Sequence, residues 1–252
     1  MSIDLGSVLF LNEQLIIKIH ILYYKSYVSS ISPTLNKYLI LFCYHWDMIS
    51  KSCYVFIDSS NLFYGGKRRL GWRVDYLKLF KYLKRRYRMK KIFYYSGVEA
   101  HGFEPLLSSL ERYPVESLYK YLQEEFKKAD REEKESLQKD ISRAKFLRKI
   151  EEFGYTLRLK PIKHLRDFKG RIKSKSNCDV DLTLDAIRLE KEYDTFILLW
   201  GDGDFEILLR YLREKGKNIV VIANSDNTAR IIKDRYQGNF IDFSRIKEVI
   251  KE

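Results

Sequence analysis

The sequence is poor in the residues that build disulfide frameworks and zinc sites. Its 252 residues include three cysteines, Cys43, Cys53 and Cys178, which are far apart and odd in number. The four histidines are scattered, and neither a Cys-x-x-Cys pair nor a Cys/His run occurs. These counts exclude a disulfide-rich secreted domain and give no support for a zinc finger or zinc ribbon. We therefore expect a reduced, cytoplasmic protein.

Long apolar runs are also absent. The most apolar segments are LIIKIHILYYK, which is interrupted by Lys18, His20 and Lys25, and the shorter YLILFCYHW. Neither reaches the roughly 18 to 20 residues that a membrane-spanning helix requires. The first residues also lack the basic start and the small-residue cleavage site of a signal peptide. No membrane partner is expected.

Residues 1–47 differ from the rest of the chain in charge. They carry three lysines against three acidic residues, so their net charge is zero. Because Met48 stands shortly before the first predicted core strand, we hypothesise that it is the natural start and that residues 1–47 are an upstream translation. The alternatives are a weak interfacial anchor and a partner-binding extension. The predicted domain is residues 48–252.

The whole excess of positive charge belongs to this domain. Lys and Arg outnumber Asp and Glu by 47 to 34, which gives a net charge of +13 and a pI near 9.4. Such an excess bears on partners rather than on the fold, and nucleic acid is the commonest polyanion that fits it. A membrane surface, or solubility alone, is the competing interpretation.

Short apolar runs alternate with amphipathic helical patterns. The predicted strands are CYVFID, KIFYYSG, YTLRLKPI, DTFILLW, NIVVIA and NFIDF. Strands that alternate with helices indicate a parallel sheet with helices on both faces. Residues 104–153 read as helical, with the charged run EEFKKADREEKESLQKD. This insertion is expected to project as a solvated hairpin, or as an arm that shapes a substrate groove or a homodimer contact.

Carboxylates follow the predicted strands. Asp58 follows the first strand, Asp202 and Asp204 follow TFILLW within GDGD, and Asp179, Asp181 and Asp185 open a helix. A single Asp in such a place is usually a helix N-cap, and Asp179 is placed to cap its helix. Three segments that bring carboxylates to one sheet edge, where ligands of α/β proteins bind, indicate more than caps. Like charges repel unless a cation lies among them.

Oxygen ligands without His or Cys select a hard cation, Mg²⁺ or Mn²⁺. The glycines of GDGD are expected to let the backbone turn sharply around it. On a basic protein, such an ion suggests phosphodiester chemistry, in which metals activate a water and stabilise the departing oxygen. Arg171, Lys173 and Lys175 lie in RDFKGRIKSKSN, a predicted loop that leads to Asp179. They are expected to contact phosphates, against the alternative of a solvated loop.

Three segments in order, VFIDSSNLF, GRIKSKSNCDVDLTLDAI and FILLWGDGDFEILLRYLREKGKNIVVIA, resemble the NYN domains of the LabA-like group, which are PIN-like nucleases. The resemblance covers about residues 53–244. It implies a PIN-like three-layer α/β/α fold with a central, mainly parallel sheet of five to six strands. It also implies dependence on Mg²⁺ or Mn²⁺ and ribonuclease activity on RNA. The family's acidic positions fall on Asp58, Asp179, Asp202 and Asp204, with Asn61 beside them and Asp185 in support.

The sequence departs from the family pattern at a few positions. Ser59 or Ser60 stands where the family has Gly, Trp200 stands where it has Ser, and Asn177-Cys178 replaces Gly-Val. None of these changes removes a carboxylate, and Trp200 is expected to narrow the approach to the site.

Two other functions compete with a ribonuclease. A phosphatase of the haloacid dehalogenase type also has GDGD near its metal, but it needs a second Asp two residues after the nucleophile, where this chain has Ser60. A non-catalytic RNA-binding or regulatory module that retains the fold stays open, because a fold does not prove turnover.

Overall fold

The computed structural model describes residues 52–59, 71–105, 113–166, 170 and 172–252, with the backbone alone for 172–175. The hypothesis about residues 1–47 and Met48 lies outside these ranges. The strands are β1 (Cys53–Asp58), β2 (Met89–Val98), β3 (Thr156–Pro161), β4 (Lys163–Arg166), β5 (Ile172–Lys175), β6 (Thr195–Leu199), β7 (Asn218–Ala223) and β8 (Phe240–Asp242). The α-helices of the described ranges are α1 (Tyr76–Tyr87), α2 (Val115–Lys128), α3 (Arg131–Glu152), α4 (Asp179–Arg188), α5 (Glu206–Glu214), α6 (Arg230–Arg235) and α7 (Phe243–Ile250).

Six strands form one parallel sheet in the order β3-β2-β1-β6-β7-β8. They are the six strands that the apolar runs predict, so the prediction of a central parallel sheet is confirmed. From β1 the chain builds outward to β2 and β3, and it then returns to the other side of β1 with β6, β7 and β8. The strand order therefore reverses between β1 and β6, and ligands of open α/β sheets bind beyond the carboxyl ends of such a pair.

Helices cover both faces of the sheet. Because side chains alternate along a strand, Val55 and Ile57 point to one face, where they share a core with α1, α2, α3 and α7. Tyr54 and Phe56 point to the other face, where they pack with α4, α5 and α6. This arrangement confirms the three-layer α/β/α fold.

The helical insertion belongs to the core of the domain. Asp130 begins α3 with a capping box, in which its carboxylate accepts from the backbone N–H groups of Glu132 and Glu133 at 2.9 Å each. Leu118 and Leu122 of α2 and Leu147 of α3 are fully buried in the same cluster as β1. The expectation that residues 104–153 project as a solvated arm is therefore wrong for the described part. The charged run faces outward, and its apolar residues recur every three to four positions on the inner side.

Two elements were absent from the sequence prediction. β4 and β5 pair antiparallel as a hairpin, so RDFKGRIKSKSN is not a simple loop. After β8, Asp242 begins α7, and its carboxylate accepts from the N–H groups of Ser244 and Ser225 at 2.7 Å each. Nowhere in the described ranges is there a helix with the length and apolarity needed to cross a bilayer.

Candidate active site

The two central strands place acidic residues at the point where the strand order reverses. Asp58 is the last residue of β1 and is 6% exposed. β6 runs parallel to β1, with Leu199 beside Ile57, and the GDGD segment follows directly. Asp58 thus lies at the carboxyl end of the strand next to the one that leads to Asp202 and Asp204.

Asp202 does cap the structure that follows β6. Its Oδ1 atom accepts from the backbone N–H of Asp204 at 3.1 Å and begins a short 3₁₀ turn, Gly203–Phe205, that leads into α5. Both carboxylates are otherwise exposed. An Asn could make the same cap, so this contact alone does not explain why residue 202 carries a negative charge.

The glycines of GDGD are required for space. Neither Gly201 nor Gly203 has a positive φ, so neither position requires glycine for its backbone conformation. A Cβ atom on Gly201 would lie 2.4 Å from Oγ1 and 2.9 Å from Cα of Thr228, and one on Gly203 would lie 3.2 Å from Cβ of Ala229. The N–H of Ala229 donates to the Gly201 carbonyl at 2.8 Å. The loop after β7 therefore fixes the path of the loop after β6.

Asp179 lies in the first turn of α4, where the other carboxylates meet it. Desolvation, together with the negative charges of Asp58, Asp202 and Asp204, raises the pKa of Asp179 to about 6. The Asp58 carboxylate is also within hydrogen-bonding reach of Asp179. Three separate segments thus bring four carboxylates into one electrostatic cluster, which we call the carboxylate edge.

Asn177, and not Asp179, provides the polar contact at the start of α4. Its Oδ1 atom accepts from the backbone N–H of Asp179 at 3.0 Å, so the prediction that Asp179 caps this helix is wrong. The Asp179 carboxylate is thereby left to face the cluster. Cys178 beside it is a buried free thiol, and burial together with the charge of Asp58 raises its pKa to about 12. Such a thiol is not a nucleophile at neutral pH.

The carboxylate edge fits a hard cation by its chemistry. All its donors are oxygens, and the raised pKa of Asp179 shows that their charges repel. Within the described ranges, no three His, Cys, Asp or Glu side chains stand close enough together to hold one ion. The two findings agree, because charges interact over several ångströms while metal–oxygen bonds measure about 2.0–2.6 Å. To bind one ion, the carboxylate side chains would have to rotate toward it.

Asp185 is engaged elsewhere. It is 5% exposed, and its Oδ2 atom accepts from Arg158 Nε at 2.7 Å and from the Tyr95 hydroxyl at 3.0 Å. One turn earlier, Asp181 accepts from Lys160 Nζ at 2.6 Å. The structure therefore does not bring Asp185 to the carboxylate edge; it uses Asp185 to hold α4 against β3.

Sequence reasoning missed the two basic partners in this arrangement. Arg158 and Lys160 are two apart on β3, so they point to one face of the strand, while Asp181 and Asp185 are four apart on α4 and share a face of the helix. The alternation in YTLRLKPI was the available signal. It could show a polar face on β3, but it could not show which helix that face meets.

Several predicted residues lie wholly or partly outside the described structure. Asn61 and Arg171 fall outside it, and for Lys173 and Lys175 the structure gives the backbone alone. These two lysines belong to β5, which ends four residues before Asp179. Trp200 packs against the core on the α4 side of the sheet, and its indole N–H is buried without a hydrogen-bond partner.

Comparisons with known proteins agree with the motifs. The NYN domain family model matches residues 52–244. The Low amplitude and bright protein LabA of Synechococcus elongatus is 25% identical over 209 residues, which is 79% of this chain and 87% of that protein.

One solved structure supports the fold. A protein of unknown function from Vibrio parahaemolyticus superposes with a TM-score of 0.53 at 19% identity, covering 80% of this chain and 96% of its own, which shows a common fold alone. The T5 D15 protein co-crystallised with metal ions gives 0.39 at 13% identity over 73% of this chain and 60% of its own, too low to establish a common fold. The family match decides the assignment: the chain belongs to the NYN domain family, in its LabA-like group.

Proposed function

We propose that the protein is a metal-dependent ribonuclease that hydrolyses phosphodiester bonds at the carboxylate edge. The observation that carries this proposal is the convergence of Asp58, Asp179, Asp202 and Asp204, where burial and then the neighbouring negative charges raise the pKa of Asp179 to about 6. A fold that gathers four carboxylates at a ligand-binding edge gains nothing in stability from the repulsion between their charges. Their position is explained by a cation that binds them.

In this proposal the four carboxylates hold Mg²⁺ or Mn²⁺. When bound, the ion supplies an activated water and neutralises charge on the phosphate. Buried Asp58 provides a desolvated oxygen ligand at the back of the site, and the exposed Asp202 and Asp204 close it from the solvent side. Asp185 is not a ligand here, because Arg158 and Tyr95 occupy its carboxylate.

The proposed substrate is RNA. The net charge of +13 favours a polyanion, and the choice of RNA rests on the LabA-like family. Arg171, Lys173 and Lys175 are proposed phosphate contacts, because the backbone of β5 leads directly to α4. Asn61 is proposed to lie beside the carboxylates, as the family pattern implies.

Two charge-neutralising variants test the proposal. Asp58→Asn and Asp202→Asn each keep the shape of the side chain and remove one charge. Each should lower Mn²⁺ affinity in calorimetry and lower cleavage of a labelled single-stranded RNA by at least about 100-fold, because even outer-shell partners of a metal contribute 10- to 100-fold. In metal-free buffer the melting temperature should hold or rise, since a repelling charge has been removed.

Asp75→Asn is the matched control. Asp75 begins α1, where its carboxylate accepts from the Lys78 N–H at 2.9 Å, so this change also replaces a capping Asp by Asn. It should leave metal binding and cleavage at the parental level. The same RNA and its DNA counterpart, each assayed with Mg²⁺, Mn²⁺ or EDTA, establish substrate class and metal requirement. RNA binding without cleavage under every metal condition would instead establish the non-catalytic module.

A further inference from the structure

A second concentration of charge lies on α1 and at the start of β2. Residues 76–91 contain eight basic residues and no acidic one, against a net charge of +13 for the whole chain. Lys78 lies 3.9 Å from Asp75, and Lys91 pairs with Glu192 at 2.8 Å. The other six are exposed, and no carboxylate of the described ranges lies within ion-pair distance of them. They are Lys81, Lys84, Arg85, Arg86, Arg88 and Lys90.

The position of these cations is only partly explained by the helix. Basic residues in the last turn of α1 interact favourably with the helix dipole, and this explains the positions of Lys84, Arg85 and Arg86. Lys81 lies before that turn, and Arg88 and Lys90 lie after the helix. Elsewhere on the helices, exposed lysines are commonly paired, as Lys127 is with Glu124 at 2.7 Å.

A shallow aromatic pocket of about 490 Å³ opens among these cations. Phe80 of α1 and Phe153, at the end of α3, form its floor, and Lys81, Lys84 and Arg85 stand around it. The Lys84 ammonium lies 5.8 Å from the centre of the Phe80 ring. The one acidic residue of the lining, Glu152, is paired with Lys149 at 2.7 Å. Aromatic rings beside free cations are the combination with which proteins bind single-stranded nucleic acid, by base stacking and phosphate contact.

This pocket is remote from the carboxylate edge. Phe80 packs with the core on the α1 side of the sheet, whereas the carboxylate edge belongs to the side covered by α4 and α5. α1 and α3 each end where a parallel strand begins, so the pocket lies toward the amino ends of the strands. β2 has ten residues, so at about 3.3 Å per residue the amino ends of the strands lie roughly 30 Å from their carboxyl ends.

We propose that this basic surface, the six cations with Phe80 and Phe153, is a second binding site for single-stranded RNA. One base stacks in the aromatic pocket, and the neighbouring phosphates contact Lys81, Lys84 and Arg85. The choice of RNA rests on the proposed function. A single RNA strand that occupies both sites must pass around the sheet, so the basic surface anchors long substrates and contributes nothing to short ones.

The first test measures RNA binding in EDTA, where cleavage is stopped. A variant with Lys81→Gln, Lys84→Gln and Arg85→Gln should weaken binding of a labelled RNA of about 30 nucleotides. It should also flatten the dependence of log K on log salt by about 2, since each lost phosphate contact contributes about 0.7 for single strands. The matched control is Lys191→Gln, Arg210→Gln and Lys215→Gln, which removes three exposed cations elsewhere. An equal change in both triple variants overturns the site, because net charge alone would then explain binding.

The second test separates base stacking from charge. Phe153→Leu keeps apolar bulk and removes a ring, so RNA binding should fall by at least about five-fold. Binding of inorganic polyphosphate should stay unchanged. An equal loss of affinity for RNA and for polyphosphate would contradict the stacking of a base in the pocket. If the triple variant keeps RNA affinity but loses binding to phosphatidylserine vesicles, the surface is a membrane contact and the proposal fails.

The two proposals can fail separately. Asp202→Asn should leave RNA binding in EDTA intact while it stops cleavage. Under cleavage conditions, the Lys81/Lys84/Arg85 variant should raise KM for the RNA of about 30 nucleotides and leave an RNA of about five nucleotides unaffected. If the parent protein never cleaves RNA but the Lys81/Lys84/Arg85 variant loses RNA binding, the ribonuclease proposal is wrong and the second binding site is supported. If the parent protein cleaves RNA and this variant has an unchanged KM for the long RNA, the second site is wrong and the ribonuclease proposal is supported.

Discussion

The two charged regions of this molecule are built in opposite ways. At the carboxylate edge, acidic groups that range from buried Asp58 to exposed Asp202 and Asp204 come from β1, α4 and the loop after β6, and burial together with their charges raises the pKa of Asp179. On the basic surface, six cations lie along one helix and turn, exposed to water, where repulsion is screened. The carboxylates are therefore brought together by the tertiary fold and destabilise it, whereas most of the cations follow from the sequence of α1 and only the aromatic pocket needs a second helix, α3. Changes at the first should alter stability strongly, and changes at the second should alter binding with little effect on stability.

The largest expected effect is at Arg158, which holds the helix of the carboxylate edge in place. Arg158→Met removes the close ion-pair partner of the Asp185 carboxylate, whose side chain is 8% exposed, and leaves it the longer contact with Arg188 at 3.8 Å. Removing one member of a buried pair costs about 3–5 kcal/mol, and the lower end applies because Arg158 is 24% exposed. Urea unfolding measures this loss, and adding Asp185→Asn should restore part of it. Arg85→Met on the basic surface should lower the unfolding free energy by less than about 1 kcal/mol, the contribution of a last-turn cation to the helix dipole. A loss as large as that of Arg158→Met would remove the distinction between the regions.

An intermediate effect is expected at Gly201. In Gly201→Ala, the new Cβ would meet the Thr228 backbone at 2.9 Å, and backbone cannot move aside as a side chain can. Overpacking of this kind costs about 1–3 kcal/mol, and it should displace Asp202 and reduce cleavage as well. Gly238 has no atom within 4 Å of an added Cβ, so Gly238→Ala is the control for both melting temperature and cleavage. Parental stability in Gly201→Ala would show that the two loops are not locked together.

The smallest effect concerns pH. Because the pKa of Asp179 is raised from 3.8 to about 6 by desolvation and by Asp58, its ionised form destabilises the fold. This penalty is absent below about pH 4, grows between pH 4 and 6, and is complete above pH 6. Asp179→Asn should therefore stabilise the metal-free protein at pH 7, by on the order of 1 kcal/mol for a screened, part-exposed group, and should have no such effect at pH 4. Lys84→Gln should change stability by the same small amount at both pH values, because lysine is protonated at each.

Local patterns in the sequence were enough to predict the sheet. Runs such as CYVFID and NIVVIA are short, apolar and rich in β-formers, and their alternation with amphipathic helices allows few other folds. The β4–β5 hairpin was missed because RDFKGRIKSKSN has no alternating apolar face. The packing of α3 was missed because the charged residues around Leu137 and Ile141 concealed their spacing. Both misses arise where tertiary contact, not composition, decides the outcome.

The same division applies to the carboxylate edge. The position of Asp58 and Asp202 after strands could be read from the chain, because strand ends in a parallel sheet share an edge. The partners of Asp185 could not, since Arg158 lies 27 residues away on a strand whose neighbours are unknown from sequence. The reason for Gly201 was equally hidden, because Thr228 approaches it from a different loop. Residue types suggest chemistry, but their pairings are settled only when the layers pack.

The central strand β1 has a consequence for synthesis of the chain. Its neighbour on one side, β2, follows closely in sequence, but contacts on the β6 side join residues 142 apart, as Ser52 and Asp194 do. At about 5–20 residues per second, a ribosome leaves that side of β1 unpaired for on the order of ten seconds. An apolar strand with an open edge is a site for misassembly with another nascent chain. We therefore expect β1, the strand that carries Asp58, to be the segment that most needs a molecular chaperone during synthesis.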